Sequence, residues 1–234
     1  MRETEMNYCP SCGKKIQEDM KFCPGCGQQL IVEGMVTPSY RRLSFGEKVK
    51  GFLGAPSNTF NDVKAEALGT ALKYFTIWAV IYAILRTILF YTLERRVFET
   101  LWSMFGLSDA AVYLFDPVTF ALLAVLGAFA GLFIGGSWTH LFVRAFGGRK
   151  GYGNTIKAFA YGDTPLLLFG WIPFIGMLFP FWAWVLNIIG IRQLHEISTG
   201  RAIGAVLLSI IIALIITVVL VVLFVVLFVV SVTG

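Results

Sequence analysis

From Ala71 onward the chain alternates long apolar runs with short polar or glycine-rich breaks, the pattern of helices that cross a bilayer. Spans are predicted over about residues 71–91, 118–143, 155–171, 173–191 and 202–232. The last carries no charge and exceeds the roughly 20 residues a bilayer requires, so it must tilt, kink or protrude. Five spans is the most economical count. A re-entrant hairpin at residues 170–176 is its rival, because the third and fourth spans are short and Pro173 sits in their turn. Ahead of the spans, Phe45, Val49, Phe52 and Leu53 recur at near-helical spacing among Lys48 and Lys50. That spacing predicts either a short amphipathic helix on the inner membrane surface or a solvated linker helix.

Composition turns the pattern into a class. Of the 234 residues 57% are hydrophobic and 14% charged, against about 25% charged in a soluble domain. A soluble enzyme and a disordered chain are both excluded. The expected fold class is an all-α polytopic membrane protein of about five transmembrane helices, with a small N-terminal domain that two Cys-x-x-Cys pairs, Cys9 with Cys12 and Cys23 with Cys26, mark as a zinc ribbon. Its divisions are 1–30 for the ribbon, 31–44 for a linker, 45–69 for a juxtamembrane amphipathic segment, and 70–234 for the five-span domain.

Charge sets the orientation. Nine of the 19 Lys and Arg precede residue 65, against seven acids there, and a solvated head followed by a membrane body accounts for the formal +5 without nucleic acid. Arg144, Arg149, Lys150 and Lys157 cluster around one loop, and Arg192 and Arg201 around another, while the turn at 170–176 and the tail are uncharged. Only Arg95 and Arg96 argue the other way. The positive-inside rule then predicts a multi-pass protein of the cell membrane with its N-terminus cytoplasmic and its C-terminus outside. The polar N-terminus has no apolar stretch of the signal-peptide kind.

The four cysteines form one pattern written twice, Tyr8-Cys9-Pro10-Ser11-Cys12-Gly13 and Phe22-Cys23-Pro24-Gly25-Cys26-Gly27. Each Cys-x-x-Cys turn aims two thiolates at one metal, and the following Gly supplies the positive φ the turn needs. Cys9, Cys12, Cys23 and Cys26 are thus predicted to close a four-sulfur site around one structural zinc ion. With every position filled by protein, no open position remains for catalysis. Lys14, Lys15 and Lys21 are nearly balanced by Glu18 and Asp19, which does not favour nucleic acid. A folded cytosolic knob of this kind points to a protein partner.

Within the spans, polar residues are functional candidates. Asp163, followed by Thr164 and Pro165, lies roughly 12 Å deep by helical rise, and His140 and Asn187 fall at similar depth. Asp163 reads as a capped helix break or as part of an ion or proton path, with His140 and Asn187 as its possible partners. Small residues recur every fourth position at Gly127, Gly131 and Gly135, and again at Ala205, Ser209, Ala213 and Thr217. Such ridges let helices approach closely, within one chain or between copies, which leaves a homo-oligomer open.

The chain resembles the Yip domain family of membrane-trafficking proteins. The likeness lies in Ala55-Pro56-Ser57-Asn58-Thr59-Phe60, Phe146-Gly147-Gly148-Arg149-Lys150-Gly151-Tyr152, Tyr161-Gly162-Asp163-Thr164-Pro165, and Gly190-Ile191-Arg192-Gln193-Leu194-His195-Glu196-Ile197-Ser198 with Arg201-Ala202. It covers about residues 50–230. A zinc ribbon stands where eukaryotic members carry a long cytosolic N-terminus, an arrangement that looks prokaryotic and archaeal. The resemblance implies a multi-pass protein with a cytosolic N-terminus and no catalytic residues to carry over. Eukaryotic relatives bind prenylated Rab-type GTPases and shape membranes.

Two functions are therefore expected, neither of them enzymatic. One is a membrane scaffold or adaptor, in contact with the bilayer and docking a cytosolic protein through the ribbon. The other is a small-solute or ion transporter or channel using Asp163, His140 and Asn187.

Overall fold

A computed structural model describes residues 7–8, 15–16, 43–104 and 116–233. The chain divides into two compact units, Met1–Arg41 and Arg42–Gly234. In the first, β1 (Asn7–Tyr8) and β2 (Lys15–Ile16) pair antiparallel, Tyr8 opposite Lys15. Cys9, Cys12, Cys23 and Cys26 lie outside the described residues, though β1 and β2 bracket the sequence that holds the first pair.

The second unit opens with α1 (Phe45–Gly54) and α2 (Pro56–Asp62). Ser44 starts α1: its Oγ accepts the Glu47 N–H at 3.4 Å, and Glu47 Oε2 accepts the Ser44 N–H at 2.8 Å, a reciprocal cap. Pro56 begins α2, where its missing N–H would have had no intrahelical partner. The two helices meet where Gly51 touches Thr59, a contact with no room for a Cβ. Part of their apolar face turns into the protein. Phe52 and Phe60 are fully buried edge to face at 4.9 Å, and Phe52 stacks on Tyr161 at 5.1 Å. Of the rings in 45–69, Phe52 and Phe60 find partners inside the protein, while Phe45 stays exposed.

Among the described residues, four helical stretches are long and apolar enough to cross a membrane, Leu68–Val97, Pro117–Ala145, Ile175–His195 and Thr199–Ser231. The first holds α3 (Leu68–Leu89), a π-turn at Phe90–Glu94, and the start of α4 (Arg95–Met104). The second holds α5 (Pro117–Ala130), a π-turn at Gly131–Gly135, and α6 (Gly136–Ala145). Asp116 caps α5 by accepting the N–H groups of Val118 and Thr119, and its bonds from Thr119 hold its carboxyl below the usual range.

The expected third span is not one continuous helix. It is α7 (Tyr152–Gly162) and α8 (Thr164–Phe169), broken at Asp163. Pro165 has no N–H to offer the Tyr161 carbonyl one turn back. The Thr164 hydroxyl donates to that carbonyl instead, at 2.5 Å, and the Tyr74 hydroxyl reaches Thr164 Oγ1 at 3.1 Å. An apolar turn with a short 3-10 stretch at Ile175–Leu178 leads into α9 (Phe179–His195), so α7, α8 and α9 form a helical hairpin. The count is thus four full-length helices with one broken segment, rather than five continuous ones. Last comes α10 (Thr199–Thr233), which buries Ala202, Ala205, Val206 and Ser209 and leaves its side chains beyond Ala213 exposed.

One end of the bundle is basic. Lys64 and Lys150 both bind Glu196, the latter at 2.6 Å. Arg192 reaches Ser57 at 3.2 Å and Thr199 at 3.3 Å. Lys157 donates to the carbonyls of Lys64 at 2.8 Å and Glu66 at 3.0 Å. These links gather the turn after α2, the start of α7, the end of α9 and the start of α10. Hydrogen bonds from Lys150 and Lys64 pull the Glu196 carboxyl down to about 2. Its folded value lies below its unfolded one, so this contribution is present at neutral pH and is lost only as pH falls toward 2.

Candidate functional site

The widest helix contact in the unit is between α7 and α9, which run antiparallel. Small residues line it: a Cβ on Gly190 would sit 2.8 Å from the Phe60 ring and 3.0 Å from Ala158. Polar bonds cross this seam at two levels. Asn187 Nδ2 donates to Asp163 Oδ1 at 3.1 Å. Eight residues along each helix, about 12 Å away, Thr155 Oγ1 lies 2.9 Å from His195 Nε2 and 2.7 Å from His140 Nδ1 on α6.

The expected trio is therefore divided. Asp163 and Asn187 are joined, while His140 pairs with Thr155 and the chain's other histidine, His195. The Asp163 carboxylate does not cap α8; it reaches across to α9. Helical rise estimates depth but not which face a residue occupies, and His140 faces another neighbour. Thr155 and His195 were not among the sequence candidates. Their signal was the matched spacing of eight residues, Thr155 to Asp163 on α7 and Asn187 to His195 on α9.

Proton positions in the histidine pair follow from one hydroxyl. Thr155 has a single proton, so it donates to one imidazole and accepts from the other. His195 Nδ1 is buried with no hydrogen-bond partner. An orphaned N–H there costs more than an orphaned lone pair. The network assigns the His195 proton to Nε2, donated to Thr155, whose own proton goes to His140 Nδ1. All three side chains are at least nine-tenths buried.

At the basic end lies a second polar cluster. Lys48 and Glu66 pair at 2.8 Å, with side chains only 7% and 9% exposed. Glu66 also accepts the Tyr161 hydroxyl, and the Lys48 ammonium lies 5.4 Å from the centre of that ring. The sequence reading named Lys48 only as a polar neighbour of the apolar positions in 45–69; the fold turns it inward.

Between α3, α5 and α8 is a cavity of about 420 Å³, lined mainly by apolar side chains with Arg86 and Asp163 among them. The glycine ridge of the second span was expected to let helices approach, within one chain or between copies; within the chain a Cβ on Gly127, Gly131 or Gly135 would meet nothing within 4 Å, and the first two border the cavity. On α10 the small residues do pack at Ala205 and Ser209, where the Trp138 indole donates to the Ser209 carbonyl at 2.9 Å. Ala213 and Thr217 lie outside that contact and are not buried.

The seam makes a direct prediction. A Cβ on Gly162 would overlap the Asn187 side chain. Gly162→Ala should push Asn187 off Asp163 and cost about 1–3 kcal/mol, read as a lower melting temperature in detergent. An unchanged melt would contradict this packing.

Among the described residues no three His, Cys, Asp or Glu side chains converge to hold a metal. The four thiols of the N-terminal unit are a donor set that suits tetrahedral zinc, and the zinc-ribbon domain family model matches residues 8–30, which contain all four. No curated protein and no solved structure matches the chain. The Yip1 domain model matches residues 50–223, from within α1 to deep in α10 and well over half the length, so this protein belongs to the Yip1 domain family, as a multi-pass membrane protein with an N-terminal zinc ribbon.

Proposed function

We propose that this chain is a membrane scaffold whose zinc ribbon docks a cytosolic protein. The observation that carries the reading is the use of the polar groups in the helical body. Asp163 with Asn187, Thr155 with both histidines, and Lys48 with Glu66 and Tyr161 bind one another across helices. Such bonds link helix to helix and hold the shape of the body. One structural zinc on Cys9, Cys12, Cys23 and Cys26 would give the docking unit its fold.

The basic end is assigned to the cytoplasm of the cell by the positive-inside rule. The ribbon reaches the body through α1, which belongs to that end, so it faces the same compartment. Because the α7–α9 hairpin starts and finishes at the basic end, the parity of crossings is odd whether or not its tip reaches the far surface. The C-terminus then lies outside.

Crosslinking in the native membrane, followed by identification of co-purifying proteins, tests the adaptor role. A soluble partner present with the intact chain and lost from the Cys9→Ser, Cys12→Ser variant is the expected result. A partner-free profile identical in both would overturn it. One observation favours a second reading, passage of an ion or small solute: Asp163 borders the cavity. Flux into proteoliposomes that does not change on Asp163→Asn would remove it.

A further inference from the structure

The cavity between α3, α5 and α8 has the dimensions of one leaflet's hydrocarbon. Its lining on α3 runs from Phe75 to Arg86, a rise of about 16 Å, against about 15 Å for half of a bilayer core. Its volume of about 420 Å³ is in the range of ligand pockets, and its walls are mostly aromatic and aliphatic. It opens to the outside rather than being sealed. Gly127 and Gly131 keep it so, since no neighbouring atom occupies the space their side chains would fill.

The polar groups sit at opposite ends. Asp163, at the deep end, is engaged by Asn187. Arg86, in the last turn of α3, divides its guanidinium. Nη2 donates to Glu94 at 2.7 Å, whereas Nη1 is buried and has no partner among the described residues. A buried cationic N–H without an acceptor is costly, and an anionic oxygen satisfies it best.

We propose that this slot seats one hydrocarbon chain of an anionic membrane lipid, drawn from the leaflet at the Arg86 end, with a headgroup oxygen on Arg86 Nη1. The chain fills the space left by Gly127 and Gly131 against Phe75, Leu132 and Leu167. The headgroup completes the guanidinium that Glu94 only half satisfies. Selection is by charge at the mouth and by width along the slot, where the glycines admit a single chain.

The test uses the full-length protein in nanodiscs of phosphatidylcholine and phosphatidylglycerol in equal parts, with native mass spectrometry counting the lipids retained on release. One phosphatidylglycerol should be retained in preference to phosphatidylcholine. Gly131→Leu should abolish its retention while melting like the parent, because the new side chain enters open space. Arg86→Gln should reduce the preference for the anionic lipid about tenfold. Glu94→Gln, which removes the competing carboxylate, should raise it, a response that a purely structural Arg86–Glu94 pair does not produce. Equal retention of the two lipids, or phosphatidylglycerol retention unchanged by Gly131→Leu, would overturn the proposal. So would displacement of phosphatidylglycerol by added oleate, since the occupant would then be a free fatty acid.

Discussion

Replacing Glu66 with alanine is expected to destabilise the helical body by about 3–5 kcal/mol, the cost of leaving a buried charge without its partner. Lys48 would keep only the Tyr161 hydroxyl, at 3.5 Å, and Tyr161 would lose its acceptor. The damage would spread, because Glu66 sits in the turn that Lys157 holds by two backbone carbonyls. α1 and α2 should come loose from α7. The converse replacement, Lys48→Met, should cost less, since Tyr161 still donates to Glu66. Lys48→Met with Glu66→Leu should recover most of the loss, because an apolar pair of similar volume has no desolvation penalty to offset. Denaturant melts in detergent of the parent, Lys48→Met, Glu66→Leu and the double variant close the cycle and give the coupling energy. A Glu66→Ala cost below about 1 kcal/mol would match an exposed ion pair and would mean that the juxtamembrane helices are not docked as described.

Removal of zinc should unfold the N-terminal unit and leave the helical body intact. A unit of this size cannot bury enough apolar surface to be stable alone. Zinc on four thiolates supplies about 10–16 kcal/mol in comparable small domains. Met1–Arg41 and Arg42–Gly234 are separate compact units, so the loss need not propagate. After treatment with a strong chelator, or with Cys9→Ser, the first 30 residues should become sensitive to protease. The helical circular dichroism and melting temperature of the body should hold. The same exposure should follow acidification, because protons compete with the metal for thiolates. A protease-resistant head after chelation would show that metal does not hold it. Melting of the body along with the head would show that the two units are one.

The candidate site was legible in part. Pro165 beside Asp163 in an apolar run announced a helix break, because proline's missing N–H acts locally and needs no neighbour to be known. The partnership of Asp163 with Asn187 was accessible from depth, since rise per residue is constant. His140 was misplaced for want of the complementary quantity, the rotation of α6 about its axis. The glycines at 127, 131 and 135 show the same gap: their spacing describes a smooth ridge, but not what faces it, and in the fold it faces open space. Lys48 is another case. A lysine among polar neighbours reads as solvated, and only Glu66 and Tyr161, brought up from 18 and 113 residues away, make its burial tolerable.

By itself the sequence determined those properties that depend on composition and short-range order. These are the membrane class, the helical runs, the concentration of basic residues in particular loops, and the paired Cys-x-x-Cys turns. Hydrophobic runs are read by the bilayer one segment at a time, and a metal knuckle is complete within four residues. The tertiary structure alone decided which helix faces meet. That choice joined Thr155 to two histidines, turned Phe52, Phe60 and Lys48 into the protein, and opened a slot at Gly127 and Gly131 with half of a guanidinium at its mouth. Helices in lipid meet through packing and polar bonds between surfaces far apart in the chain, and those surfaces exist only once the helices have been assembled.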